Sequence, residues 1–242
     1  MKYFSENYAK ILNKYKIPHT TLKQEFTKIL ASKKREEIFD ELKLSGVLND
    51  IMPEFLQCIG LDQKNVHHDH TVDKHILKAV EAMADNKQIK KDKEILLWAM
   101  FFHDIGKPIA LKKNLKKLKR HKFTNHEIYS AKIAKKILKR FEFSKQESKQ
   151  IVTLVFHHEF FRYIKLYNMK IAGNRMSTKH IFKLINKIGE YNFELLILCH
   201  KADYSAQSNY WKEHKNTLNE KAIDMLNYYR KLKHAKMPVN FD

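Results

Sequence analysis

A histidine and an aspartate stand side by side, His103-Asp104, at the close of an apolar run from Ile95 to Phe102. His103 follows Ala99 by four residues and Leu96 by seven, which places it on the inward stripe of a buried helix. An imidazole and a carboxylate delivered together into a core are costly unless something pairs with them. A divalent metal ion satisfies both. The pattern recurs along the chain. His75 leads Ile76, Ala79, Val80 and Met83, and His126 leads Ile128, Ala131 and Ala134. His157-His158 closes the stripe Ile151, Leu154, Val155, with His158 four residues after Leu154, and Asp203 follows Leu196 by seven. Alone, each of these histidines reads as a core residue or a cap. Five predicted helices that each bring an imidazole or carboxylate inward read as a metal site. Mixed nitrogen and oxygen donors suit Mn, Fe, Co, Ni or Zn, with Mg allowed, better than Ca. The number of donors permits one or two ions, two being bridged by Asp104.

The elements that must carry these residues are helices. Only 5 glycines and 4 prolines, with abundant Lys, Glu, Leu and Ile, predict an all-α chain. Residues 1–65 are expected to form a helical extension packed on the core, 66–206 hold every candidate, and 207–242 supply a last helix and a frayed tail from Lys231. Thr21 with Gln24, Thr124 with Glu127 and Ser144 with Glu147 are expected capping boxes. Gly106 is the expected left-handed stop of the central helix, and Pro108 forbids its continuation. Lys112 to Lys122 has seven Lys or Arg in eleven residues and reads as a flexible basic loop beside the site. A helix from Thr178 to Ile188 ends at Gly189. His67, His68 and His70 read either as a solvated loop or as part of the site. Residues 160–176 mix Phe160, Phe161, Tyr163 and Tyr167 with Arg162, Lys165 and Lys170. Packing on the core is their expected role, with base stacking the alternative.

Lys and Arg number 47 against 27 Asp and Glu, a net charge of +20. Such a balance favours nucleic acid, nucleotide or another phosphate-bearing partner. A surface merely decorated with lysine gives the same total. Cys58 and Cys199 lie in apolar stretches and read as buried thiols in a reducing compartment. The run from Ile95 to Phe102 is too short to span a membrane, and the N-terminus lacks a signal peptide's apolar core. The expectation is a cytoplasmic protein with no membrane partner.

The order His75, His103-Asp104, His126, His157-His158, Asp203, centred on His-Asp-Ile-Gly-Lys at 103–107, resembles the HD-domain metal-dependent phosphohydrolase superfamily over roughly residues 66 to 206. Within it the chain is most similar to the HD region of bacterial CCA-adding tRNA nucleotidyltransferases. The stretches Lys33 to Ile38 and Leu48 to Glu54, His67-His68, Phe123 with His126, and Lys201-Ala202-Asp203 carry that likeness. The nucleotidyltransferase head has no counterpart, and 5 glycines leave no phosphate-cradling loop. The resemblance therefore implies a single helical HD fold with an N-terminal extension and hydrolytic activity alone. It implies His75, His103, Asp104 and Asp203 as metal ligands, with His126 and His157 completing a second position. His158 is left as a ligand or a substrate contact, and Lys107 as a cation for a phosphate oxygen. Asp104, Lys107, His126 and His158 would carry the catalysis. The implied substrates are ends of RNA, tRNA among them, or nucleotides, cleaved by a 2′,3′-cyclic phosphodiesterase, 2′-nucleotidase or phosphatase. The alternatives are a hydrolase of free or cyclic nucleotides, a non-catalytic nucleic-acid-binding module, and oxygen chemistry at a di-iron site.

Overall fold

The computed structural model describes residues 6–64, 69–87, 89, 91–119, 121–161, 178–207 and 215–235, and every regular element among them is a helix. In chain order these are α1 (Glu6–Lys14), α2 (Leu22–Ala31), α3 (Arg35–Leu44), α4 (Val47–Ile51), α5 (Pro53–Leu56), α6 (Val72–Asp85) and α7 (Lys93–Phe102). They continue with α8 (Lys107–Leu118), α9 (His126–Arg140), α10 (Lys145–His157), α11 (Thr178–Ile188), α12 (Glu190–Ser205) and α13 (Lys215–His234). His67, His68, the stretch from Arg162 to Met176 and the tail after Ala235 lie outside the described residues.

The apolar run becomes α7, in which Ile95 to Phe102 are all buried. A helix apolar on every side must be surrounded. It packs on α2, α6, α9, α10 and α12. Trp98 is the hub. Its ring meets Phe26 at 5.9 Å and Phe141 at 5.2 Å, and its indole N–H donates to Thr27 Oγ1 at 2.8 Å. Phe101 stacks on Phe55 at 5.1 Å and meets Phe39 at 5.6 Å. The helices of the N-terminal extension therefore share one core with α7. Edge-to-face and offset rings at such spacings contribute about 0.5–1.5 kcal/mol each beyond area burial.

Two of the three expected capping boxes form. Thr21 and Ser144 each accept from the backbone N–H three residues on, and Gln24 and Glu147 return the bond. The third does not. Asn125 precedes α9 in a left-handed conformation (φ 65°) with no side-chain cap, and the helix starts at His126.

Two expectations around the central motif are corrected. Gly106 has φ −84°, an ordinary right-handed backbone, so it is no left-handed stop. A Cβ there would stand 2.3 Å from Ser130 N and 2.5 Å from His126 O. Glycine is required because the start of α8 is pressed against α9, where Gly106 N–H donates to Ser130 Oγ at 2.9 Å. Pro108 sits in the first turn of α8, where its missing N–H would have had no helical partner anyway. The basic segment from Lys112 is accordingly helical as far as Leu118, not a flexible loop. One buried turn, with Ala110 and Leu111 inside, suffices to seat it.

Candidate metal centre

Five elements deliver the polar groups. His75 lies in the first turn of α6, and His103 and Asp104 occupy the turn that links α7 to α8. His126 is the first residue of α9, His158 caps α10, and Asp203 lies in the last turn of α12. Three imidazoles are fixed by the same local device. Nδ1 donates to a backbone carbonyl three residues earlier: His103 to Met100 O at 2.6 Å, His126 to Phe123 O at 2.9 Å, His158 to Val155 O at 2.7 Å. Met100 and Val155 stand near helix ends, whose last carbonyls need such partners. His75 reaches across the fold instead, to Ala206 O at 3.3 Å. A carbonyl only accepts, so each Nδ1 carries the proton and each neutral ring presents a bare Nε2.

Those Nε2 atoms face one another in pairs. His75 and His103 approach at 3.2 Å, His126 and His158 at 3.0 Å. Two lone pairs at that distance repel unless positive charge lies between them. Carboxylate oxygens flank both pairs. Asp203 Oδ1 is 2.9 Å from His75 Nε2, and Asp104 Oδ2 is 3.3 Å from both His75 and His103. The other oxygen of Asp104 lies 2.9 Å from His126 Nε2 and 3.8 Å from that of His158. The result is two sets of ligand-type atoms, His75/His103/Asp203 and Asp104/His126/His158, each within 4.8 Å. Donors about 2.0–2.2 Å from an ion, at tetrahedral or octahedral angles, stand roughly 3.0–3.5 Å apart. Donor type, tautomer and spacing all fit a divalent ion in each set, with Asp104 shared.

The electrostatics agree. Burial opposes charge on every group here, yet Asp104 and Asp203 outweigh it and raise His103 from 6.5 to about 10. His126 is raised against burial by Asp104. The carboxyls of Asp104 and Asp203 are held well below their usual range, again against burial, by Lys107 with His103 and by His103 with His75. Buried negative charge at this place calls for cations. Lys107, itself buried, places Nζ 2.6 Å from Asp104 Oδ2 and donates to Gln63 Oε1 at 2.7 Å. Gln63 is fixed in turn by donating to His70 O at 3.0 Å. Asp203 is the most accessible of the six, at 14% against 1–4% for the others, so the centre meets solvent on its side.

Of the expected site residues, His75, His103, Asp104, His126, His158 and Asp203 are brought together, with Lys107 beside them. His157 is not. Its ring packs edge-on against Phe156 at 4.9 Å, and burial, with Lys187 nearby, lowers it to about 4. The buried stripe of α10 runs Ile151, Leu154, Val155, and one further turn reaches 158; residue 157 lies about 100° round the axis. Two groups escaped the sequence reading. Gln63 comes from an irregular stretch with no periodicity to flag it, and Glu159, whose Oε1 lies 3.9 Å from His126 Nε2, only follows His158 in the chain.

A family model described as HD domain matches residues 72–227, more than half of the chain, and the matched stretch contains all six residues of the two sets.

Proposed function

Because the chain belongs to the HD domain family, we propose that it is a phosphohydrolase that uses divalent transition metal held by His75, His103 and Asp203 and by Asp104, His126 and His158. The observation that carries this reading is the pair of facing Nε2 contacts with one carboxylate between them. When bound, such ions lower the pKa of water toward neutrality and withdraw charge from phosphoryl oxygens. The chain does the rest. Four imidazoles locked by backbone carbonyls keep their Nε2 atoms aimed inward without reorganisation. Lys107 neutralises Asp104 and brings a compact cation to the place where an anionic substrate adds its charge. Gln63 keeps that ammonium in position.

The preferred substrates are RNA ends bearing 2′,3′-cyclic or 2′-phosphates. Near-complete burial of five of the six ligands suits a chain terminus over an internal linkage. Our choice of an RNA end follows the sequence resemblance to the HD region of CCA-adding enzymes, which the family match, to the HD domain alone, leaves as part of this proposal. That burial equally favours a second reading, hydrolysis of free or cyclic nucleotides. A full set of ligand-type groups weighs against a binding module without catalysis.

The test is a panel of phosphoesters assayed with protein stripped of metal and reloaded with Mn, Fe, Co, Ni, Zn or Mg. Turnover should return with at least one metal and should be lost, by about 10²-fold or more, in His103→Ala and Asp104→Ala proteins of unchanged helical signal. Full activity in either variant would exclude this centre as the active site.

A further inference from the structure

The positive charge of the chain is unevenly placed. Residues 107–140 hold thirteen Lys and Arg against one acid, Glu127, a net +12 of the total +20. The other 208 residues hold 34 basic against 26 acidic side chains, a net +8. Uniform decoration with lysine does not produce that distribution. The charged stretch is α8, α9 and the link between them, and both helices start at the metal centre, α8 with Lys107 and α9 with His126.

Ten lysines between Lys112 and Lys139 are exposed, and among the described residues none of them is paired with an acid. They fall in stripes. Lys113, Lys116 and Lys117 share one face of α8; Lys132, Lys136 and Lys139 share one face of α9. Lys113 Nζ stands 4.7 Å from the ring centre of Tyr129, three residues before Lys132, so the two stripes adjoin. Like charges at these helical spacings repel one another, and a bound polyanion would relieve the repulsion. At about 1.5 Å per residue, Lys117 lies roughly 15 Å along the axis from Lys107, and Lys139 about 20 Å from His126. A mononucleotide with its phosphate in the centre cannot cover that reach, whereas a polymer can. Leu115 is the one large apolar side chain exposed on this surface among the described residues, against ten exposed lysines, so what is described of it is charged in character.

We propose that the α8–α9 surface is the docking rail for the backbone of a single-stranded RNA whose end enters the metal centre. The proposal rests on the phosphohydrolase reading above. The test compares two variants of the full-length protein. One carries Lys113→Gln, Lys116→Gln, Lys132→Gln and Lys136→Gln. The other removes the same charge from the N-terminal extension, as Lys10→Gln, Lys28→Gln, Lys33→Gln and Lys43→Gln. Each is assayed for binding a labelled single-stranded RNA oligonucleotide over a salt series. Each is also assayed for turnover of bis(p-nitrophenyl) phosphate and of an RNA oligonucleotide ending in a 2′,3′-cyclic phosphate.

The rail variant should bind RNA roughly tenfold or more weakly, with a slope of log affinity against log salt shallower by up to about 3. Its loss of turnover on the RNA end should exceed its loss on the small ester by a similar factor, while the N-terminal variant binds as wild type does. Equal weakening by both variants would show a diffuse charge effect and overturn the proposal. So would wild-type protein that binds phosphatidylserine vesicles but not RNA. Wild-type hydrolysis of the small ester reports separately on the phosphohydrolase reading, so failure of the rail and failure of the centre give different results.

Discussion

Each imidazole of the centre is set by what its far nitrogen does. Nδ1 bonds to a carbonyl in all four, leaving Nε2 to the interior. At this scale the sharpest contrast is between neighbours. His158→Gln should lower metal content and activity by about tenfold or more, whereas His157→Gln should leave metal content unchanged, as measured by elemental analysis after dialysis. The spacing from Leu154 already pointed to His158; the family pattern implied His157 as a ligand, and the structure places His158, not His157, beside Asp104 and His126. Gln63 was illegible because nothing in an irregular segment announces which way an amide turns. Protons and metal compete here. Burial lowers His103, yet Asp104 and Asp203 raise it from 6.5 to about 10 in the metal-free protein. A raised value contributes stability that is complete below the unfolded pKa, near 6.5, and is lost as pH climbs through 10. The Tm of metal-free protein should therefore fall from pH 6.5 to 10. Saturating metal should flatten the fall, because ions then replace the protons. A metal-free Tm that rises across this window would contradict the assignment.

The elements were legible where period and caps agreed. α7, α10 and α11 were readable from their apolar stripes, and the boxes at Thr21 and Ser144 mark true helix starts. α8 was missed because a lysine-rich sequence with a thin stripe lacks the amphipathic signal, and its stability comes from tertiary contact at its first turn. That contact is Gly106 against Ser130 and His126. Gly106→Ala would drive a Cβ into backbone at 2.3 Å, where no flexible side chain can yield. It should destabilise by about 1–3 kcal/mol in denaturant titration, and it should weaken metal binding because α8 and α9 would part at Lys107 and His126. A neutral result would mean that the α8–α9 junction is looser than the geometry states.

For the whole molecule, the all-α class followed from composition. The gathering of donors from distant segments followed from each lying on a buried stripe. Packing of the N-terminal extension on the core was expected; the rings that make it, Phe26 on Trp98 and Phe55 on Phe101, were not legible, since contacts between distant helices leave no local period. That shared core, with α7 enclosed at its middle, holds five separate helix ends rigidly enough for their ligands to meet. Where ions bind decides whether this cluster is a metal centre. Crystals grown with Mn or Zn, measured for anomalous scattering, test this directly. Two peaks are predicted, one among His75, His103 and Asp203 and one among Asp104, His126 and His158, with Asp104 touching both. Metal bound only elsewhere on the molecule, or none at all in protein that remains folded, would contradict it.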